Sequence, residues 1–137
     1  MKTVFTNGRI ILTDRILDGY SVIVEDGVIS DVTKSTAAAD KVVDLKGCYL
    51  APGFIDMHTH GAGGHDFMDG TEEAVKGACM THLSHGTTSI VPTTLTCLNG
   101  ELFNFFEVYR KVKADWHEGP NLLGIHLEGP FFNAAQA

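Results

Sequence analysis

The chain has 137 residues, 44% of them hydrophobic, which is long and apolar enough for one ordinary domain with a buried core. Its 10 Lys and Arg residues against 17 Asp and Glu residues give a formal net charge of −7. This acidity argues against a nucleic-acid partner, because non-specific nucleic-acid binding needs a basic surface. No stretch approaches the run of about 20 apolar residues that a membrane-spanning helix needs, so we expect no membrane partner either.

Short apolar runs separated by glycine-containing turns fill residues 3–50. The pairs Asn7-Gly8, Asp26-Gly27 and Lys46-Gly47 each lie between two such runs. Asn-Gly and Asp-Gly tolerate the positive φ of a tight hairpin turn. We therefore predict hairpins over residues 4–12 and 21–32 and a further strand pair over residues 42–50. Together they indicate a small antiparallel sheet, part of a β-sandwich over residues 1–51. The alternative is a set of scattered hairpins from another kind of β domain.

From residue 52 onward the pattern changes to alternating strands and helices. Residues 54–57, 89–92 and 122–128 read as strands. Thr71 is the expected N-cap of a first helix that ends at Gly86, and Asn99 is the expected cap of a second. Strands that alternate with helices of this length indicate parallel βα units, so the fold class is α/β. A closed (β/α)8 TIM barrel needs about 250 residues, so we expect residues 52–137 to be its first, incomplete part. A three-stranded α/β layer that is complete in itself is the alternative.

Two histidines follow the first of these strands. His58 and His60 are spaced i, i+2, so a strand places both side chains on one face while Thr59 points away. Their Cα atoms are then about 6.5–7 Å apart, close enough for both imidazoles to bind one metal ion. We expect this strand to be buried, with its histidines at the carboxyl-terminal rim where barrel enzymes place their chemistry. A structural role for both histidines remains the alternative.

Glu128 occupies the corresponding place at the end of the third predicted strand. It follows the apolar run that includes Leu127 and precedes Gly129. An unpaired carboxylate in such a place would be costly, so a metal ion, another cation or a raised pKa must compensate. A structural ion pair without a metal is the alternative. His126 shares the face of Glu128 and is a candidate for pocket lining. Thr94 and Thr96, after the second strand, are candidates for lining the mouth of the same site, a point that the sequence does not decide.

These motifs resemble those of the amidohydrolase superfamily, metal-dependent hydrolases built on (β/α)8 barrels. Residues 52–60, Pro-Gly-Phe-Ile-Asp-Met-His-Thr-His, are similar to its first-strand signature, and many members carry a small β-sandwich before the barrel. Residues 124–131, Gly-Ile-His-Leu-Glu-Gly-Pro-Phe, resemble the third-strand motif of N-acetylglucosamine-6-phosphate deacetylases. Residues 63–67 and 86–93 are similar to that family as well. The resemblance covers the whole chain but only the first third or so of a full-length member.

The resemblance implies metal-assisted hydrolysis of the acetamide of N-acetylglucosamine 6-phosphate. It implies that His58, His60 and Glu128 are metal ligands, with zinc as the first candidate and iron, manganese or cobalt as others. Asp56 is expected to support the strand end, and His65 to touch substrate or gate the site. The family's catalytic aspartate and its remaining metal-binding histidines fall beyond residue 137, so no catalytic residue is assigned here and these residues alone are expected to be inactive. The amino-sugar phosphate is the implied partner, and full-length members are commonly homo-oligomeric.

Two other functions remain open at this point. One is a different amidohydrolase, such as a cyclic amidase or a deaminase, which the motif around Glu128 disfavours. The other is a fragment that serves only in binding or assembly. Three sparse cysteines, Cys48, Cys79 and Cys97, lack any Cys-x-x-Cys spacing, which favours reduced thiols and a cytoplasmic location. His82 and His85, on the first predicted helix and at its end, are expected to be structural.

Overall fold

The structure is a computed structural model that describes residues 1–35, 38–131, 133 and 135, so the end of the predicted 52–137 segment lies outside the described residues. The chain divides into two units, Met1–Pro52 and Gly53–Ala137. The first unit is built from strands and the second from strands and helices. No helix in the described ranges is long and apolar enough to cross a membrane.

The first unit holds two mixed sheets rather than the single antiparallel sheet that we predicted. Its described strands are β1 (Lys2–Thr6), β2 (Arg9–Ile11), β3 (Ile16–Asp18), β4 (Ser21–Glu25), β5 (Val28–Thr33), β6 (Lys41–Asp44) and β7 (Tyr49–Leu50). One sheet has the order β5-β4-β1-β6 and the other the order β3-β2-β7. Apolar side chains from both sheets, Phe5 and Val22 on one and Ile10 and Leu50 on the other, line a shared cavity of about 160 Å³.

The turn at Asn7-Gly8 is a corner between the sheets, not a hairpin. β1 pairs in parallel with β6, and β2 pairs in parallel with β7, so residues 2–11 run alongside residues 41–50. A Cβ on Gly8 would lie 2.3 Å from Cδ1 of Leu45, so glycine permits this close approach. The predicted pairing of residues 42–50 with each other is also wrong, because β6 pairs with β1 and β7 pairs with β2 instead. By contrast, β4 and β5 form the predicted antiparallel hairpin, with Asp26 and Gly27 at φ 50° and 84°.

The second unit has the predicted alternation of parallel strands and helices. Its described elements are β8 (Phe54–Thr59), β9 (Gly61–Ala62), β10 (His65–Asp66), a 3₁₀ turn (Phe67–Asp69), α1 (Glu72–Ser84), β11 (Thr87–Pro92), α2 (Asn99–Asp115) and β12 (Asn121–Leu122). The main sheet has the order β12-β11-β8, and both pairings are parallel. The glycine-rich loop after β8 contains the small antiparallel pair β9 and β10.

The ends of the helices follow local chemistry. The Thr71 hydroxyl accepts a hydrogen bond from the N–H of Ala74 at 3.1 Å, which confirms Thr71 as the N-cap of α1. The cap of α2 is Leu98 instead of the predicted Asn99, which is the first helical residue. The Glu101 carboxylate accepts a hydrogen bond from the Leu98 N–H at 3.0 Å, so a side chain inside the helix satisfies this donor.

The third strand is shorter than predicted. Regular strand structure ends at Leu122, although the following residues still run along β11. The N–H of Leu123 donates to Ile90 O at 3.0 Å, and the N–H of His126 donates to Pro92 O at 2.9 Å. Glu128 therefore lies at the end of an extended segment that is held to the sheet at intervals.

The core of the second unit lies between the two helices and one face of the sheet. Its buried side chains come from every layer and include Val75 and Cys79 of α1, Ile90 of β11, Phe105, Tyr109 and Val112 of α2, and Phe67 of the 3₁₀ turn. Burial raises the pKa of the Cys79 thiol to about 12. Burial also raises the pKa of the Tyr109 phenol to about 12, with a smaller contribution from the neighbouring Cys79.

The prediction that β8 is buried is wrong, because none of its six side chains is buried and its three large apolar ones are exposed. Phe54, Ile55 and Met57 are 70%, 63% and 69% exposed. β8 is an edge strand of its sheet, so β11 alone flanks it among the described residues. Because successive strand side chains alternate between faces, these exposed apolar side chains lie on both faces of β8.

Candidate metal centre

The candidate centre lies where the carboxyl ends of the parallel strands meet. His58 is near the end of β8, and His60 follows that strand directly. Glu128 follows the extended segment on the other side of β11. Because parallel strands end at one edge of a sheet, residues distant in sequence come together there.

His58, His60 and Glu128 converge on one point. Nε2 of His58 lies 2.9 Å from Oε2 of Glu128, and Nε2 of His60 lies 3.4 Å from the same oxygen. One ligand atom from each of the three residues lies within 4.8 Å of the others. The two imidazole rings meet edge to face, with centroids 5.3 Å apart. The i, i+2 spacing thus places both rings on one side of the strand, as predicted.

This donor set fits a divalent cation. Two imidazole nitrogens and one carboxylate oxygen suit zinc and other first-row transition metals. Nδ1 of His60 is buried and has no hydrogen-bond partner among the described residues. The side chains of His60 and Glu128 are only 34% and 32% exposed, so the centre is partly shielded from solvent.

Helix α1 contacts the ligand-bearing strand through His82, a contact that the sequence pattern did not reveal. Nε2 of His82 lies 3.1 Å from Oγ1 of Thr59, the residue between the two candidate ligands. The Thr59 hydroxyl also donates to the carbonyl of Gly61 at 3.2 Å, so it contacts both the helix and the turn after β8. His82 therefore contacts the last residue of β8, and its expected structural role stays a prediction.

The two threonines after β11 contact the ligand-bearing segments on either side. Oγ1 of Thr93 accepts a hydrogen bond from the Thr59 N–H at 3.0 Å. Oγ1 of Thr94 accepts from the Glu128 N–H at 3.1 Å and donates to the Glu128 carbonyl at 3.4 Å. Both threonines are fully buried. Parallel strand order is the one sequence signal for this arrangement, since it places the end of β11 between the other two strand ends.

Asp56 and His126 lie beside the three converging residues. Oδ1 of Asp56 accepts a hydrogen bond from the N–H of His58 at 3.1 Å, and its Oδ2 lies 3.7 Å from Nδ1 of His82. The ring of His126 is tilted against that of His58, with centroids 4.6 Å apart. The structure therefore brings both residues to the centre without placing either among its three converging ligand atoms.

His65 lies elsewhere. His65 belongs to β10, and its imidazole packs against Gly77 of α1. A Cβ at position 77 would lie 2.4 Å from Cδ2 of the His65 ring, so only glycine leaves room for the ring there. His65 also lines a cleft together with Glu73, Lys76 and Trp116. Its role in substrate contact or gating stays a prediction.

Comparison with known proteins identifies two family matches along the chain. The amidohydrolase family matches residues 49–137, and the NagA composite domain matches residues 4–50. An N-acetylglucosamine-6-phosphate deacetylase from Bos taurus is 38% identical over 137 aligned positions, which cover 87% of this chain and 32% of the relative. The chain therefore spans about a third of the length of the curated relatives that it matches.

Solved structures show the same relationship. The crystal structure of an N-acetylglucosamine-6-phosphate deacetylase from Pasteurella multocida matches with a TM-score of 0.84 and 27% identity, over 99% of this chain and 36% of that one. A D-hydantoinase matches with a TM-score of 0.60 and 26% identity, over 98% of this chain and 28% of that one. Both matches thus support a metal-dependent hydrolase fold for this chain, which is an α/β fragment of that fold.

Proposed function

The chain belongs to the amidohydrolase family, and from this premise we propose that it forms part of an enzyme that hydrolyses the acetamide of N-acetylglucosamine 6-phosphate. The products are glucosamine 6-phosphate and acetate. The convergence of His58 and His60 on one carboxylate oxygen of Glu128 supports the proposal most directly. The substrate follows from the names of the matched relatives and from the motif at residues 124–131.

We assign residues 1–51 to a β-sandwich portion and residues 52–137 to the first βα units of a (β/α)8 barrel that is incomplete in this chain. A parallel sheet with helices on one side supports the second assignment. The edge position of β8 among the described residues supports it further, because a further barrel strand would pair with that edge. The exposed side chains of Ile55 and Met57 would then be available to pack against a further layer of the barrel.

The chain's own residues have distinct tasks in this proposal. His58, His60 and Glu128 hold the divalent metal, with zinc the first candidate. Asp56 fixes the backbone of His58 through its N–H, and His126 packs on the His58 ring and limits its rotation. A cation held there supplies Lewis-acid polarisation of the amide carbonyl and activation of water at neutral pH. The proton donor to the leaving amine is not assigned to any residue of this chain.

The cellular setting is part of the same proposal. A sugar-phosphate substrate and three unpaired cysteines suit the reducing cytoplasm. The partner is the small-molecule substrate, without nucleic acid or membrane, and the complete protein is expected to form a homo-oligomer.

Acetate release tests the proposed reaction. We expect the complete protein that contains this chain to release acetate from N-acetylglucosamine 6-phosphate and not to open cyclic amides, the alternative that the D-hydantoinase match raises. Glu128→Gln, which removes the carboxylate charge, should abolish turnover, whereas His117→Gln at an exposed position should not change it. The 137-residue chain by itself should show no turnover. Preferential hydrolysis of a cyclic amide, or acetate release by the 137-residue chain alone, would contradict the proposal.

A further inference from the structure

The two buried threonines at the end of β11 link the parts of the chain that carry the candidate ligands. Thr93 and Thr94 are adjacent, and their hydroxyls bond to opposite neighbours. The Thr93 hydroxyl accepts from the N–H of Thr59, between His58 and His60. The Thr94 hydroxyl bonds to both backbone groups of Glu128. A single dipeptide directly after the central strand therefore contacts both halves of the centre.

We propose that the hydroxyl of Thr94 positions Glu128 for metal binding, an inference that rests on the proposed function. Regular strand pairing ends at Leu122, six residues before Glu128, so the sheet's own ladder does not fix this residue. The backbone of the segment is held by the pairing of Thr93 with His126 and by the bond from the Thr94 N–H to His126 O at 2.9 Å. Beyond His126, the segment is held by the hydrogen bonds of the Thr94 hydroxyl to the N–H and C=O of Glu128.

The chemistry of the contact explains why a threonine is required. One hydroxyl offers a donor and an acceptor together, so it can bond to the N–H and the C=O of the same residue. Valine has the same shape but neither group, and it would leave the Glu128 N–H without this acceptor. Glu128 could then rotate about its backbone, and Oε2 would move away from the nitrogens of His58 and His60, which it now approaches at 2.9 and 3.4 Å.

Cobalt binding by the 137-residue chain tests the inference with a readout other than activity. Co²⁺ alone is titrated into wild type, Thr94→Val and Thr94→Ser, and its visible absorption reports the ligand environment. Thr94→Val should weaken Co²⁺ binding about 10- to 100-fold, the usual effect of removing a group that orients a metal ligand. Thr94→Ser keeps the hydroxyl and should bind as wild type does. Thr87→Val is the matched control, because Thr87 is a buried threonine at the opposite end of the same strand.

Each outcome has a definite meaning. Weaker binding by Thr94→Val, with wild-type affinity and spectrum in Thr94→Ser and Thr87→Val, supports the inference. Equal affinity in Thr94→Val and wild type overturns the inference and leaves the proposed metal site intact. Absence of Co²⁺ binding by wild type overturns the metal site and the inference with it. Should Thr94→Val not fold, Thr94→Ala, which also lacks the hydroxyl, is titrated in its place: weaker Co²⁺ binding than by Thr94→Ser supports the inference, and equal binding overturns it.

Discussion

Replacement of His82 by leucine should loosen the end of β8 where the candidate ligands lie. The imidazole, 19% exposed, contacts Oγ1 of Thr59 at 3.1 Å. The loss of one such hydrogen bond costs about 1 kcal/mol of unfolding free energy. Thr59 keeps its bond to the carbonyl of Gly61 in this variant, so we do not expect the larger penalty of an unsatisfied buried hydroxyl.

A double-mutant cycle isolates this contact from the general cost of altering the helix. Urea denaturation is followed for wild type, His82→Leu, Thr59→Val and the double variant at low micromolar concentration. We expect a coupling free energy of about 0.5–1.5 kcal/mol, because the second change removes a bond that the first has already broken.

Thr88→Val provides the control pair for the cycle. Thr88 faces Gly53 at the start of β8, and Thr59 is its last residue, about 20 Å along the strand. His82→Leu and Thr88→Val should therefore be additive within about 0.5 kcal/mol. Equal coupling in both cycles, or none between His82 and Thr59, would refute the assignment of this hydrogen bond.

Two further predictions concern the core of the second unit. Phe105→Ala should lower the unfolding free energy by about 3–5 kcal/mol in urea denaturation, because the ring is fully buried between layers, and a loss below about 1 kcal/mol would contradict this packing. Burial raises the pKa of the Cys79 thiol from 9.0 to about 12 in the folded state. Between these two pH values the unfolded state releases the thiol proton, while the folded state keeps it. Stability from this group is complete below pH 9 and should fall as the pH rises toward about 12, and Cys79→Ala should flatten that decline in alkaline denaturation curves.

Local sequence signals predicted the alternation of strands and helices in the second unit, but not the cap of α2, the length of the third strand or the exposure of β8. The Thr71 cap of α1 is a consequence of neighbouring residues, and the structure confirms it. The pairing of the amino-terminal strands could not be obtained in this way. Asn7-Gly8 and Asp26-Gly27 carry the same turn signal, yet the first turns a corner between two sheets and the second closes a hairpin. The difference lies in the parallel strand contributed by residues 41–50, which is a long-range contact.

The candidate site was predictable where the geometry of strands determines which way a residue points or at which edge it lies. His58 and His60 point the same way because strand residues alternate, and Glu128 joins them because parallel strands end at one edge. The supporting contacts of His82 and Thr94 depend on which helix and which strand end lie next to those residues. Such contacts come from tertiary packing, which the spacing of residues along the chain does not encode.

The central claim is that His58, His60 and Glu128 bind one divalent metal ion, and metal content measures this most directly. The chain is equilibrated with Zn²⁺, dialysed, and analysed for bound metal by atomic emission, beside His58→Ala/His60→Ala, Glu128→Ala and the exposed control His117→Ala. We predict that wild type and His117→Ala retain zinc and that both ligand variants lose it on dialysis. Loss of a ligand should lower the affinity by more than about 100-fold, beyond the effect of losing a supporting contact. Unchanged zinc content in both ligand variants would contradict the account.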